Sequence, residues 1–240
     1  RGLGDVYKRQ VMICEKKEDM GKITHNDLYI DFATLSPEKV REKVRVGEVA
    51  ITRSEYYENE DCAMMQCLDD RIGCMIIIDS ILRDVKNTND MYYVFTVQEE
   101  NGCFGAQTST FDLQPDLFVT FDVSSTGDEL RGIRTDVKLG GGAGIKAMDY
   151  FMIVNQHVVD ALVDIAEKNG IKYQIEVSEN GGTDAHTAQL VRGGMKAGAI
   201  TIPTRNIHSR DEIICKEDVL NCIRMAMALE TVELDEHFGA

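Results

Sequence analysis

Acidic residues in this chain collect where strand-like and helix-like patterns change over. Gln98-Glu99-Glu100 follows one strand-like run, Asp122 closes another, and Asp69-Asp70 stands directly before a helical pattern. Ligands of open α/β sheets bind in the crevice beyond the carboxyl ends of strands, so these three loops can converge on one pocket. Carboxylates brought together there repel one another unless a cation joins them. A divalent metal is the simplest remedy, and carboxylates with a histidine suit zinc, cobalt or manganese. His208, in the run Ile202-Pro-Thr-Arg-Asn-Ile-His208, supplies the candidate imidazole. Taken alone, each residue has a plainer explanation: acidic pairs in loops are usually solvated surface, and a single histidine is usually structural. The case for a site rests on four of them falling at element ends.

The elements that must position these residues divide the chain in three. Residues 1–10 differ in composition from the rest and read as a non-native leader. Residues 11–54 are short and mixed: an extended Asp27-to-Phe32 stretch, a helix opened by Ser36-Pro37, and strand-like alternation from Val44 to Thr52. This reads as part of a small β-rich module. Over residues 55–240, strands alternate with amphipathic helices, which predicts an α/β domain with helices flanking a mixed, largely parallel sheet. Helices are expected over Ile72–Val85, Asn155–Lys168, Asp184–Arg192 and Lys216–Leu229. Strands are expected over Tyr92–Val97, Leu117–Phe121, Tyr173–Val177 and Ala199–Ile202.

Bulk properties narrow the partners. Forty-one acidic against 26 basic residues give a net charge of −15, which repels nucleic-acid phosphates and anionic membrane surfaces. The apolar run at Met75–Ile78 is too short to span a bilayer, and a cytoplasmic location is expected. Seven cysteines with no Cys-x-x-Cys pair indicate neither a disulfide framework nor a zinc ribbon. The run Leu139-Gly-Gly-Gly-Ala-Gly144 lacks the Lys-Ser/Thr of a phosphate-binding loop and is expected to be a flexible loop near the site.

Five segments in order, Leu68-Asp-Asp-Arg-Ile-Gly73, Val97-Gln-Glu-Glu-Asn-Gly102, Phe121-Asp-Val-Ser124, Gly181-Gly-Thr-Asp-Ala185 and Ile202-Pro-Thr-Arg-Asn-Ile-His208, resemble the tetrahedral or deblocking aminopeptidase family. That family includes glutamyl aminopeptidases and FrvX-like proteins, and some members have been labelled endoglucanases. The resemblance implies a zinc-exopeptidase-like fold, an inserted β-rich oligomerisation domain, and self-association into dimers and larger assemblies. It also implies peptide substrates and two divalent ions, zinc or cobalt with manganese as a further fit, held about 4 Å apart to activate a water and polarise the scissile carbonyl. By the same resemblance, Asp69 bridges the two ions, Glu100 and His208 complete one site, Asp122 belongs to the other, and Glu99 is the general base. Asp70 shapes the bridging loop, and Thr183, Asp184 and His186 stand near the substrate.

One departure accompanies the match. Such enzymes take another ligand from a His-x-Asp motif well upstream. The only such string here, His25-Asn26-Asp27, sits beside Leu28-Tyr-Ile-Asp31 and so reads as part of the β-rich module rather than as that ligand. One histidine ligand is therefore expected to be missing. Two other readings stand beside the peptidase: a glycoside hydrolase with paired carboxylates, disfavoured by the absence of Trp and only 7% aromatics, and a catalytically silent fragment or oligomer subunit.

Overall fold

The computed structural model describes residues 10–13, 28–51, 53–129 and 133–239. The His25-Asn26-Asp27 string lies outside them. The chain separates into two compact units, Arg1–Arg53 and Ser54–Ala240.

In the first unit, β1 (Gln10–Ile13) pairs antiparallel with β2 (Leu28–Asp31), with Gln10 opposite Asp31. Helix α1 (Pro37–Arg41) starts where expected: Ser36 accepts the Lys39 N–H, and Pro37 takes the first-turn position, where a missing donor costs nothing. The alternation after Val44 does not become a strand among the described residues. Gly47 turns the backbone at φ +93°, and Val46 and Val49 stand exposed, with no neighbouring strand to pack their side chains.

The second unit is a mixed sheet with helices. Its elements are β3 (Tyr57–Glu58), β4 (Cys62–Met65), α2 (Leu68–Arg83), α3 (Phe104–Leu113), β5 (Leu117–Ser125), β6 (Ala143–Met148), α4 (Gln156–Lys168), β7 (Tyr173–Val177), α5 (Asp184–Ala188), β8 (Lys196–Arg205), β9 (Glu212–Cys215), α6 (Lys216–Thr231) and α7 (Leu234–Phe238). Strand order is β3-β4-β9-β8-β6-β7, with β5 also on β8. The two longest ladders are parallel, β5 on β8 from Leu117↔Lys196 to Ser125↔Thr204, and β6 on β7. The β3–β4, β4–β9, β8–β9 and β6–β8 pairings are antiparallel. Strand β8 reads Ala-Gly-Ala-Ile-Thr-Ile without polar alternation because both its faces are covered: eight consecutive residues from Ala197 are buried.

Helix α4 shows how the sequence builds this core. Val158, Val159, Ala161, Leu162, Ile165 and Ala166 bury one stripe at helical spacing, Asn155 caps the start, and Asn169-Gly170 ends it with Gly170 at φ +61°. Val158 and Leu162 press on Gly198 of β8, where an added Cβ would lie 2.8 Å from Val158 Cγ1. Each buried Leu or Ile contributes roughly 1.5–3 kcal/mol. Ile145, Ile200, Ile202 and Met225 complete the centre of the core.

Two expectations for this unit need correction. Tyr92–Val97 joins no ladder among the described residues; Tyr92, Phe95 and Val97 are exposed, so apolar alternation there is not matched by a neighbouring strand. The helix expected to run to Arg192 stops at Ala188, and the chain continues as turns through Gly193-Gly194.

Candidate metal centre

Asp69 and Asp70 open α2 but do not have helical backbone: Asp69 sits at φ −75°, ψ 112° and Asp70 at φ −112°, ψ 51°, and the peptide between them is cis. Asp70 folds back on its own helix and accepts the Gly73 N–H at 3.1 Å. Only glycine allows this, since a Cβ at position 73 would lie 2.4 Å from Asp70 Oδ2.

Asp69 meets the other two candidates. Its Oδ2 is 2.9 Å from His208 Nε2, which is 3.3 Å from Glu100 Oε2. One donor atom from each of Asp69, Glu100 and His208 lies within 4.8 Å of the other two. These residues come from the start of α2, the loop before α3 and the loop after β8, so the sheet joins positions far apart in sequence.

A residue that motif spacing did not single out ties two of these loops together. Glu212, at the start of β9 and 2% exposed, accepts the Leu68 and Asp69 N–H groups through Oε2 at 2.6 and 3.1 Å. Its Oε1 accepts the His208 N–H at 2.9 Å. One buried carboxylate thus fixes the backbone beneath both Asp69 and His208. Its signal in the sequence was only an acidic residue four positions after the histidine.

The electrostatics are those of crowded, desolvated carboxylates. Burial, reinforced by the Glu100 charge, pushes Asp69 up to about 6. Burial likewise pushes Asp70 up to about 8, against the opposing pull of the Gly73 N–H. Glu99 is raised by burial, with Asp184 and Glu100 adding to it. Asp122 is raised well above the usual range by burial and then by Asp70. It lies inside β5 rather than closing it, because the strand runs on to Ser125. Asp122 is 7% exposed and its Oδ1 accepts the Val123 N–H at 2.7 Å. Among the described residues it joins no three-donor group. Asp69, Asp70, Glu99, Glu100 and Asp122 line one cavity of about 820 Å³. Oxygen donors with an imidazole, held together at the expense of mutual repulsion, fit divalent cations.

Beside Glu99 lies a second group. Cys103 Sγ donates to Glu99 Oε1 at 3.4 Å and stands 3.8 Å from His186 Nδ1. His186 is stacked on Phe151, with centroids 4.9 Å apart, and its Nδ1 is 2.7 Å from the Thr183 carbonyl. Asp184 is buried and accepts from Thr96 Oγ1 at 2.6 Å. The residues expected near a substrate therefore sit on the Glu99 side of the site. The glycine-rich run serves a structural purpose: Asp218 accepts the Gly140 and Gly142 N–H groups, both at 2.7 Å, so a protein carboxylate occupies the position where an anion would bind.

Known proteins resemble this chain over most of its length. The profile of the M42 glutamyl aminopeptidase family matches residues 3–225. A protein of Acetivibrio thermocellus is 37% identical over 211 residues, 88% of this chain and 64% of its own length. The crystal structure of a TET aminopeptidase from a marine-sediment Thaumarchaeota archaeon superposes with a TM-score of 0.85 at 31% identity, covering 94% of this chain and 66% of that one. A Pyrococcus horikoshii TET1 peptidase, described as assembling into a tetrahedron or a large octahedral shell, superposes with a TM-score of 0.77 at 31% identity, covering 86% of this chain and 62% of that one. The chain thus spans under two thirds of the length of these relatives. By the reach of the family profile and these identities, the chain belongs to the M42 glutamyl aminopeptidase family.

Proposed function

We propose that the protein is a metal-dependent aminopeptidase that hydrolyses the N-terminal residue from short peptides. The observation that carries this reading is the convergence of Asp69, Glu100 and His208, with Glu99 next to Glu100 in the chain, in a member of this family. Asp69, Glu100 and His208 would hold one divalent cation, and Asp69 with Asp122 part of the shell of another, the remaining donor coming from outside the described residues. Two zinc or cobalt ions held by these residues would supply Lewis-acid polarisation of the scissile carbonyl and an activated water. Glu99 takes the proton of the attacking water and returns it to the leaving amine. Burial holds that carboxyl above its ordinary range, toward working pH, as a general base requires. Glu212 keeps Asp69 and His208 in register.

The same reading extends to assembly and place. Residues 11–54 would be part of a β-rich oligomerisation domain and residues 55–240 the catalytic domain, with homo-oligomers of the kind described for the Pyrococcus horikoshii relative. No helix among the described residues is long and apolar enough to cross a membrane, in keeping with a cytoplasmic enzyme. The direct test is Glu99→Gln. Hydrolysis of an aminoacyl chromogenic substrate should fall roughly 10²–10⁴-fold while zinc content is unchanged. Undiminished turnover by that variant would remove Glu99 from the mechanism.

A further inference from the structure

Glu99 has a neighbour that the proposed reaction does not use. Glu99, Cys103 and Asp184 each place one donor atom within 4.8 Å of the other two. The Cys103 Sγ to Glu99 Oε1 separation is 3.4 Å. A tetrahedral zinc ion with a thiolate at about 2.3 Å and a carboxylate oxygen at about 2.0–2.2 Å puts those two donors about 3.5 Å apart, so this edge already has the needed length. A thiol–carboxylate hydrogen bond alone would have similar geometry, and a further observation separates the two. Asp184 is 95% buried by its 5% relative exposure; one oxygen accepts from Thr96, while Oδ1 has no hydrogen-bond partner among the described residues. A buried carboxylate oxygen left unpaired is costly, and a cation shared with Glu99 and Cys103 would satisfy it. His186 Nδ1 is 3.8 Å from Cys103 Sγ but is 2.7 Å from the Thr183 carbonyl, and His186 is not one of the three donors.

We propose that Glu99, Cys103 and Asp184 form a separate site for a thiophilic divalent cation, zinc being the physiological candidate, and that its occupancy silences Glu99. The sulfur donor distinguishes it from the all-oxygen-and-imidazole set of Asp69, Glu100 and His208, so a softer ion such as cadmium favours this site over the other. On binding, the divalent ion forms a bond to Cys103 sulfur as the thiol proton leaves for solvent, and two carboxylates bring the site to a net charge of −1. No electron moves. A Glu99 oxygen committed to this ion cannot accept a proton from water. That consequence rests on Glu99 being the base; the binding itself does not.

The test uses the purified protein with its resident divalent ions in place, titrated with cadmium as a probe whose bond to thiolate gives an ultraviolet charge-transfer band. The wild type and Cys222→Ala, which changes a buried thiol elsewhere, should each develop one equivalent of this band. Cys103→Ala and the volume-preserving Cys103→Ser should not, and Asp184→Asn should weaken it at least tenfold. Peptide hydrolysis should fall in step with the band in the wild type and stay level in Cys103→Ser. An undiminished band in both Cys103 variants would overturn the site. A band that depends on Cys103 while wild-type hydrolysis stays level would overturn the silencing of Glu99 and count against its role as base. Failure of Glu99→Gln to lose activity, with the wild-type band still dependent on Cys103, would count against the base alone.

Discussion

Replacing Glu212 by Gln isolates the contribution of a residue that would touch neither cation nor substrate. The carboxylate accepts three backbone N–H groups, at 2.6, 3.1 and 2.9 Å, from the two loops that carry Asp69 and His208. Hydrogen bonds to a charged group are worth roughly 1.5–3 kcal/mol each. The amide keeps one accepting oxygen but turns an NH₂ toward N–H donors on the other side, so at least one bond is lost and a repulsion replaces it. A loss of about 1.5–3 kcal/mol lowers the melting temperature of a unit this size by roughly 3–12 °C. The larger effect should be on the ion, because groups that orient metal ligands typically change affinity about 10–100-fold. Competition with a zinc-chelating dye measures that affinity directly. Glu212→Gln should bind zinc 10- to 100-fold more weakly by this estimate, with kcat restored toward wild type at saturating zinc. Wild-type affinity in a folded Glu212→Gln protein would refute the claim that this carboxylate holds the two loops in register.

Further predictions come from neighbouring contacts. Gly73→Ala drives a Cβ into Asp70 Oδ2 at 2.4 Å; the Asp70 carboxylate must move, and zinc affinity should fall, measured by the same competition. Asp218→Ala leaves the Gly140 and Gly142 N–H groups without their acceptor and should cost about 2–4 kcal/mol in urea unfolding, with zinc affinity unchanged. The metal-free protein should lose stability as pH rises: Asp69 and Asp70 are raised from 3.8 to about 6 and about 8, so the folded state binds more protons than the unfolded one across that window. The stabilising contribution is complete below pH 3.8 and is lost as pH climbs through about 6 to about 8. Thermal melts in chelator at pH 5 and pH 8 check the sign, and saturating zinc should shrink the difference by stabilising the ionised carboxylates.

How much of this was visible in the sequence depended on the kind of signal. Helix α4 was legible because its apolar stripe, Asn155 cap and Asn169-Gly170 stop all agree. Helix α3 was not, since Phe104–Leu113 has neither a charged face nor a sustained apolar stripe, and only Gly105, Ala106 and Thr110 are buried. Tyr92–Val97 shows the opposite failure: alternation marks a chain suited to a sheet, but pairing needs a neighbour that local sequence does not specify. Asp69, Glu100 and His208 could be named together because ordered motifs marked them, although spacing alone left each explicable as surface. Glu212 escaped notice because its importance lies in accepting backbone donors from two distant loops, and that partnership exists only after β8 and β9 pair. The Glu99–Cys103–Asp184 group was hidden for the same reason, its members lying on α5 and on the turn leading into α3.

In the proposed enzyme, Asp69, Glu100 and His208 jointly hold a divalent cation beside Glu99. Crystals of the zinc-loaded protein, measured for anomalous scattering on both sides of the zinc absorption edge, test it most directly. Zinc should give an edge-dependent peak bonded at about 2.0–2.2 Å to donor atoms of all three residues, and the peak should be lost in His208→Ala. A zinc peak elsewhere, with these three side chains left in contact only with one another, would contradict it.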